Sequence, residues 1–308
     1  MQAVVVLLGV ILIMFLLIHV IPGGEARAAL GPRASQSQLH AFDRQNGLTL
    51  PLWDQFFRYV WSLVRFRLGD SVSQNQTVGA LIANRLPKTI ILVGFSTLVA
   101  LVVAIPLGIL QVIRRNKPVD YALTGVSFVL YAVPTFLLGT LLILWFSADI
   151  KVFPAEAPQG QSIGSILGDP RALILPVLTL AAVTIASFSR YMRSSMMEAM
   201  TEDYIRTARA KGAAPRRVLY IHALRNAIIP IITLLGLSIG AIVSGAVITE
   251  DVFNFPGMGK LAVDSATRLD IPVLLGTTFV ATVATVAGNL IADLLYAIVD
   301  PRIRYARA

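Results

Sequence analysis

The 308-residue chain contains no cysteine and only three histidines, and charged residues make up 14% of it. The absence of cysteine excludes a disulfide framework and any thiolate metal or redox site. The three histidines are scattered, so they offer no cluster for a histidine metal site. The scarcity of charge, with 56% hydrophobic residues and a mean hydropathy of +0.74, excludes an ordinary soluble domain.

The motifs of common catalytic sites are missing as well. The sequence has no HExxH or GxSxG string, and no pair of carboxylates lies within one apolar run. Residues 257–260 read Gly-Met-Gly-Lys, but a phosphate loop needs Gly where Asn254 stands and Ser or Thr where Leu261 stands. We therefore expect no catalytic residues in this chain and no ATP hydrolysis by it.

The chain is rich instead in apolar runs of about 20 residues, the length that crosses a bilayer. The first covers residues 3–21, and its length and lack of a basic leader favour a retained helix over a cleaved secretory signal. Five further runs are predicted as spans, at residues 89–113, 121–146, 172–190, 227–248 and 273–299. The prediction is an all-α membrane protein with six transmembrane helices.

The charge of the loops predicts the orientation, because cytoplasmic loops carry an excess of Lys and Arg. Basic residues fill the loops after the second and the fourth run, and Arg302, Arg304 and Arg307 lie near the C-terminus. The third and fifth loops carry more acidic than basic residues. Both termini are therefore expected in the cytoplasm. This topology accounts for the net charge of +9, so we expect membrane lipid and no nucleic acid as a partner.

Three parts of the chain follow from this pattern. Residues 1–21 are the first transmembrane helix, and residues 22–87 are predicted as an extracytoplasmic insertion. The insertion is dense in aromatic residues, which favours a small folded or surface-lying element over a disordered linker. Residues 88–308 form a five-helix core with a long cytoplasmic loop at residues 198–230.

Small residues recur at four-residue intervals in the second apolar run, at Ser96, Ala100, Ala104 and Gly108. Such a ladder lets the backbone of another helix approach closely inside a membrane. We therefore expect this face of the second helix to pack against a neighbouring helix.

The loop at residues 198–230 is a basic segment made of helix-forming residues. Tyr204 and Ala208 lie four residues apart, so they share one helical face, which we expect to contact a partner. Gly212 is predicted to end this helix in a left-handed conformation, and Pro215 to begin a second helix. Few membrane loops have this organisation.

Two strings in this loop, TARAKG at residues 207–212 and HALRNA at residues 222–227, are followed by Pro230. Together they resemble the cytoplasmic EAA loop of ABC-importer permeases, in the form typical of dipeptide and oligopeptide permeases. Arg206 and Thr207 depart from the general motif of that loop, and the departure matches the peptide-permease form. Similar agreement elsewhere, including Leu-Gly-Asp-Ser at 68–71, extends the resemblance over nearly the whole chain.

The resemblance implies the type I permease fold of an ABC importer in the cytoplasmic (inner) membrane. It implies uptake of dipeptides or oligopeptides, or of a related solute such as haem, glutathione or a nickel complex. The implied partners are a homologous second permease chain, two ATPase subunits and an extracytoplasmic substrate-binding protein. ATP and Mg would be bound by the ATPase subunits, so we expect no cofactor and no metal in this chain.

Three groups of residues are candidate sites. By resemblance, the loop forms the coupling helix that docks on an ATPase subunit, with contacts from Met200, Asp203, Tyr204, Ile205, Arg206, Ala208, Arg209, Ala210, Lys211 and Gly212. By resemblance also, the turn in the fifth loop contacts the binding protein through Phe253, Phe255, Pro256 and Gly257. A polar stripe at helical spacing in the last run is either helix packing or a wall of the translocation path, and consists of Thr278, Thr282, Thr285 and Asn289.

An ion-coupled secondary transporter or a channel is the alternative function. Such proteins usually carry ionisable residues in the middle of the bilayer and often contain internal repeats. Neither feature is evident in the sequence, so the importer permease explains more of it.

Overall fold

The computed structural model of the protein describes residues 2–20, 26–27, 30–31, 33–160, 162–244 and 246–299. The side chains at positions 2, 18, 46, 237–244, 292–293 and 295–299 are outside this description. The C-terminal arginines used above to predict topology also lie outside the described residues. The described part is mostly helical and contains no strand, apart from one isolated β-bridge between Asp70 and Thr77. The all-α prediction is confirmed for it.

We number in order fifteen helices from the described part of the chain. They are α1 Gln2–Val20, α2 Gln36–Asn46, α3 Leu52–Val64, α4 Val78–Ile113, α5 Pro118–Ala132, α6 Thr135–Ile143, α7 Ile163–Leu167, α8 Pro170–Ala199, α9 Asp203–Ala210, α10 Pro215–Arg217, α11 Leu224–Ala227, α12 Ile229–Ser244, α13 Val247–Val252, α14 Met258–Thr267 and α15 Ile271–Val299. Two π-helical segments, Leu144–Asp149 and Val218–Ala223, continue α6 and join α10 to α11.

Four helical stretches are long and apolar enough to cross a membrane: Val78–Ile113, Pro170–Ala199, Pro215–Gly236 and Ile271–Ile291. The pair formed by α5 and the helix beginning at α6 makes a fifth candidate, but the chain bends by 100° between them. Helix α1 contains a shorter apolar stretch, Ala3–Leu17. The residues that the structure describes thus contain four or five candidate spans.

Two of the predicted spans differ in detail from the helices. Residues 121–146 are not one continuous helix, because the chain is extended at Val133 before Pro134, as expected of a residue that precedes proline. Residues 89–113 are only the C-terminal part of α4, whose first turns carry Arg85 and Lys88 and so lie outside the apolar run. The boundary between the predicted insertion and the predicted core, between residues 87 and 88, falls inside this helix.

The chain forms two compact units. Unit 1 comprises Met1–Ile90, Pro158–Gly168 and Gly240–Ala287. Unit 2 comprises Ile91–Ala157, Asp169–Ile239 and Gly288–Ala308. Each unit therefore brings together segments that are far apart in the sequence.

Two apolar clusters hold unit 1 together. One joins α4, α14 and α15 through the buried side chains of Val78, Leu81, Ile82, Met258, Leu261 and Val273. The other joins α1, α3 and α15 through Ile11, Met14, Leu63 and Phe279. Much of the predicted insertion is thus folded against helices, as its aromatic content indicated.

One large apolar cluster in unit 2 joins α4, α8, α9 and the helical segment that starts at α10. Its buried members are Ala104, Ile109, Phe188, Met192, Met196, Ala199, Ile205, Ala208, Val218, Leu219, Ala223, Ala227 and Ile231. Helix α4 approaches α8 closely at Gly108, where an added Cβ would lie 2.6 Å from Cβ of Met192 and 3.0 Å from the carbonyl oxygen of Ser189. The predicted ladder of small residues is therefore a packing surface.

Candidate functional site

Helix α9 is the short helix predicted in the basic loop, and the apolar cluster of unit 2 supports it. Ile205 has no exposed surface and Ala208, three residues later, is buried beside the same cluster. Asp203 places an acidic side chain in the first turn, where it complements the helix dipole. Because an isolated helix of eight residues is not stable in water, these two buried side chains hold α9 in place.

Helix α9 ends at a glycine, as predicted. Gly212 has φ +77°, its N–H donates to the carbonyl of Arg209 at 2.9 Å, and the N–H of Ala213 donates to the carbonyl of Ala208 at 3.1 Å. This pair of bonds is a Schellman motif, whose left-handed position favours glycine. No atom lies within 4 Å of an added Cβ there, so the backbone conformation alone selects glycine. Pro215 begins the next helix, also as predicted.

The remaining candidate coupling residues are mostly exposed. The exposed residues are Asp203, Arg206, Arg209, Ala210, Lys211 and Gly212. Tyr204 is 37% exposed, so it does not share the environment of Ala208 that its spacing predicted. The reason is that α9 begins only at Asp203, and Ile205 takes the inward position. Met200 ends the preceding helix and is partly buried against the cluster.

A groove of about 640 Å³ lies beside α9 within unit 2. Most of its lining is apolar, and it consists of Val112, Ile113, Met200, Arg209, Ala213, Pro215, Arg216, Val218, Leu219 and Tyr220. Two arginines at this groove and the exposed basic side chains of α9 make the surface cationic. The residues that line the groove include no set suited to covalent chemistry.

Unit 2 also contains an ion pair that the sequence did not indicate. Arg193 donates from Nε to Oδ1 of Asp120 and from Nη2 to Oδ2, both at 2.9 Å. Asp120 also accepts the backbone N–H of Asn116 at 3.1 Å. This bidentate geometry fixes the planes of the guanidinium and the carboxylate relative to each other. It joins the first turn of α5 to α8, six residues before α8 ends at Ala199. The only signal in the sequence was a single Asp next to a basic loop.

A buried carboxylate organises the turn between α13 and α14 in unit 1. Glu250 accepts a hydrogen bond from Oγ1 of Thr89 at 2.8 Å and from the backbone N–H groups of Gly259 at 2.6 Å and Lys260 at 3.1 Å. Burial raises the pKa of Glu250 above its ordinary value, although these donors act in the opposite direction. An added Cβ at Gly257 would overlap the carboxylate, so glycine is required there. Two backbone N–H groups of the Gly-Met-Gly-Lys string, those of Gly259 and Lys260, thus bind the side chain of Glu250.

A second carboxylate fastens the insertion to the start of α15. Asp270 is fully buried and accepts hydrogen bonds from the hydroxyls of Ser71 at 2.5 Å and Ser73 at 2.6 Å, and from two backbone N–H groups. Burial alone would raise the pKa of Asp270, but the hydrogen bonds from Ser71 and Ser73 outweigh it and hold the pKa below its usual range. The segment from Ser71 to Ser73 therefore forms a structural tether to Asp270.

The candidate binding-protein contacts are all inside the fold of unit 1. The side chains of Phe253, Phe255, Pro256 and Gly257 are buried. Phe253 and Phe255 have no exposed surface. The turn held by Glu250 packs these residues inward within this chain, and their contact with a docked binding protein stays a prediction. Asp251 is exposed beside it.

The polar stripe lies on α15 as predicted from its spacing. Thr278, Thr285 and Asn289 are exposed in this chain, and Thr282 is half-buried. Each threonine hydroxyl donates to the carbonyl four residues earlier at 2.8 Å. The threonines are therefore satisfied within their own helix and leave an exposed polar surface.

No group of three or more His, Asp or Glu side chains that could hold a metal ion occurs in the part of the chain that the structure describes. Of the buried carboxylates, Asp120 pairs with Arg193, while Glu250 and Asp270 are each bonded to hydroxyl and N–H donors of the chain itself. The donors around Glu250 and Asp270 suit a carboxylate with a structural role. Neither site offers a second carboxylate that could help to bind a cation.

Comparison with known proteins gives the family. Residues 104–305 match the family described as "Binding-protein-dependent transport system inner membrane component", and residues 1–93 match its N-terminal counterpart, "Binding-prot-dependent transport system membrane comp, N-term". The oligopeptide transport system permease protein AppB of Bacillus subtilis (strain 168) is 40% identical over 302 residues, 97% of this chain and 96% of that protein. The dipeptide transport system permease protein DppB of Escherichia coli (strain K12) is 32% identical over 323 residues, 97% and 95% respectively.

A solved structure has a similar fold. The MetNI methionine ABC transporter in inward-facing conformations matches with a TM-score of 0.52 and 16% identity, over 70% of this chain and 95% of that chain. This likeness supports the helical fold independently of the sequence motifs. The match of family profiles to both parts of the chain shows that it belongs to the inner-membrane components of binding-protein-dependent transport systems.

Proposed function

We propose that the chain is one of two homologous permease subunits of an ATP-driven importer, and that the path for solute forms between them. The observation that carries this proposal is α9, a short basic helix held on the core of unit 2 by Ile205 and Ala208. A transporter driven by its own ion gradient has no need of such a docked helix outside its spans.

The proposed solutes are dipeptides or oligopeptides. Relatives at 40% and 32% identity over 97% of this chain are named as oligopeptide and dipeptide permeases, which supports this class. A related solute such as haem, glutathione or a nickel complex would need a different binding protein rather than a different fold. Solute is delivered, in this proposal, by an extracytoplasmic substrate-binding protein.

The proposed topology is the type I permease fold with six spans and both termini in the cytoplasm. Helix α1 supplies one span, since its 19 residues reach about 28 Å, close to the thickness of a hydrocarbon core of about 30 Å. The bent pair of α5 and α6 supplies another. The charges of the loops support a position for α9 on the cytoplasmic side and for α14 outside.

In this arrangement the exposed side of α9 docks in a groove of an ATPase subunit. ATP and Mg bind to two such subunits, and this chain holds no cofactor. Because Ile205 and Ala208 share one buried cluster with α8 and the π-helical segment Val218–Ala223, a displacement of α9 moves those elements too. Helix α9 therefore transmits closure of the ATPase subunits to the spans.

On the outer side, we assign the turn at residues 253–257 a supporting role. The binding protein contacts the surface that this buried turn shapes, including exposed Asp251. On α15, the exposed threonines and Asn289 form part of the translocation path or its wall. Their hydroxyls are already bonded to the helix backbone, so they offer solute a polar surface with weak, non-selective contacts.

A tagged chain expressed with its neighbouring genes tests this function. Purification is expected to recover a second permease and two ATPase subunits, whose ATP hydrolysis in lipid increases when loaded binding protein is added. A chain that purifies alone and moves solute along an ion gradient without ATP would contradict the proposal.

One variant tests the role of α9 directly. Tyr204→Asp places a charge on the exposed side of α9 and is expected to abolish uptake while the protein stays in the membrane. Tyr204→Phe, which keeps the ring, is the matched control and should retain uptake. Normal uptake by Tyr204→Asp would show that this side chain does not lie in the docking surface.

A further inference from the structure

Helix α3 in the insertion has three sides with different surroundings, which follow from its 3.6 residues per turn. One side packs against other helices of unit 1 and consists of Gln55, Phe56, Tyr59 and Leu63. The second is an apolar stripe that the chain leaves exposed: Trp53 at 67%, Phe57 at 67%, Trp61 at 57% and Val64 at 62%. The third, beside that stripe, is exposed and charged, with Asp54, Arg58 and Arg65.

The inner side of α3 is fixed to the last turns of α1. The ring of Phe15 lies 5.4 Å from that of Phe56 and 6.0 Å from that of Tyr59, measured between centroids. One turn further along α1, Nε2 of His19 lies 3.0 Å from Oε1 of Gln55. These contacts hold the aromatic stripe at the C-terminal end of α1.

This position coincides with the edge of the hydrocarbon core if α1 spans the membrane. Amphipathic helices at such an edge bury their apolar side by about 5–10 Å, and four residues of helix, as from Phe15 to His19, cover about 6 Å. Helix α1 also exposes apolar side chains along its length, including Leu8, Leu12 and Leu16. The stripe on α3 therefore continues a surface that already faces lipid.

The composition of the exposed sides favours lipid over a protein partner. Trp is typical of the boundary between hydrocarbon and headgroups, where its ring is buried and its N–H stays near water. The guanidinium of Arg65 lies 4.6 Å from the ring centroid of Trp61, so a cation borders the stripe. Together with Arg58 it can meet lipid phosphates, whereas a dry protein interface would leave both charges to be desolvated.

We propose that α3 is an interfacial helix whose stripe of Trp53, Phe57, Trp61 and Val64 lies in the outer leaflet at the headgroup boundary. The inference rests on the proposed topology, in which α1 crosses the membrane and the insertion is outside. It gives the insertion a function of its own, which is to anchor the outer part of unit 1 to the bilayer surface.

The absence of cysteine in the chain makes a site-specific test direct. Phe57→Cys and Arg58→Cys are adjacent exposed positions on the apolar and the charged side, and each is labelled with a nitroxide in the full chain in lipid vesicles. Collisions with oxygen, which concentrates in hydrocarbon, are compared with collisions with a water-soluble nickel chelate. Collisions with oxygen are expected to dominate for the label at position 57, and collisions with the chelate for the label at position 58. A label at Trp53→Cys should repeat the result of position 57.

Two outcomes would overturn the inference. A label at 57 that meets the chelate as often as the label at 58 would show that the stripe lies in water. A label at 57 that is closed to both reagents would show that protein covers it, for example the second permease. Labelling Gln76→Cys in intact cells with an impermeant thiol reagent tests the topology separately, because failure there leaves the contrast between 57 and 58 readable.

Discussion

The burial of Ile205 beneath α9 predicts what happens when this one side chain is shortened. Ile205 has no exposed surface and belongs to the cluster that holds α9 on unit 2. Truncating a buried Ile to Ala costs about 2–5 kcal/mol, and the higher helix propensity of Ala returns only about 0.4 kcal/mol. At about 1.4 kcal/mol per factor of ten, the net cost of about 1.6–4.6 kcal/mol should increase the population of undocked α9 in Ile205→Ala by roughly 10- to 2,000-fold.

Trypsin reports this population, because Arg206, Arg209 and Lys211 are cleavage sites that become substrates only when the helix opens locally. Cleavage in α9 should therefore accelerate at least tenfold in Ile205→Ala, a lower bound on the shift above. Thr207→Ala, an exposed position in the same helix, is the matched control and should cleave like the wild type. Ile205→Val, which costs about 0.5–1.5 kcal/mol, should lie between them.

The same variant has a consequence for transport. With α9 undocked from unit 2, ATP hydrolysis by the assembled complex should continue while solute uptake falls. An Ile205→Ala protein that resists trypsin like the wild type would refute the reasoning, since it would show that other contacts hold α9.

Three further perturbations give expected outcomes. Asp270→Asn should weaken the tether to Ser71 and cost about 1–3 kcal/mol of stability. Because the pKa of Asp270 is lowered in the folded protein, its carboxylate stabilises the fold above pH 3.8, and this stabilisation is lost as the pH falls through the lowered pKa. Hydrogen exchange at residues 71–77 should therefore depend on acid pH in the wild type and lose that dependence in the variant. Gly108→Leu should force α4 away from Met192 and lower the thermal stability of the purified protein, whereas Gly125→Leu, where no atom lies within 4 Å of an added Cβ, should not. Thr282→Leu should impair uptake without loss of complex recovery if the stripe lines the path, and an equal loss of recovery would indicate packing.

The local features of the coupling loop were predictable because each depends on residues close in the sequence. Gly212 ends α9 in a left-handed conformation since no other residue adopts it at so little cost, and Pro215 fits the first turn that follows. The small-residue ladder predicted a close helix contact for a similar reason, because Gly108 leaves no room for a side chain beside α8.

Features that depend on distant residues were not predictable. The spacing of Tyr204 and Ala208 gave a shared face, but which residue turns inward depends on where α9 begins relative to α8, and Ile205 takes that place. Phe253 and Phe255 looked like a surface turn, whereas Glu250 and Thr89, far apart in sequence, draw the turn inward.

The bend at Pro134 and the pairing of Asp120 with Arg193 also depend on contacts between helices, which the sequence does not specify locally. An apolar run predicts that a segment is buried in lipid or protein, but its direction depends on the helices that pack against it. Proline marked a point where the helix can break, and only the packing of α5 and α6 on α8 gives the 100° bend.

The docking of α9 on an ATPase subunit is the central claim, and protection of a single cysteine tests it most directly. Tyr204→Cys is labelled with a thiol reagent in the cysteine-free chain, alone and after assembly with the ATPase subunits, and Lys117→Cys, between α4 and α5, serves as the control. The account predicts that assembly protects position 204 and leaves position 117 reactive. Equal labelling of position 204 with and without the ATPase subunits would contradict it.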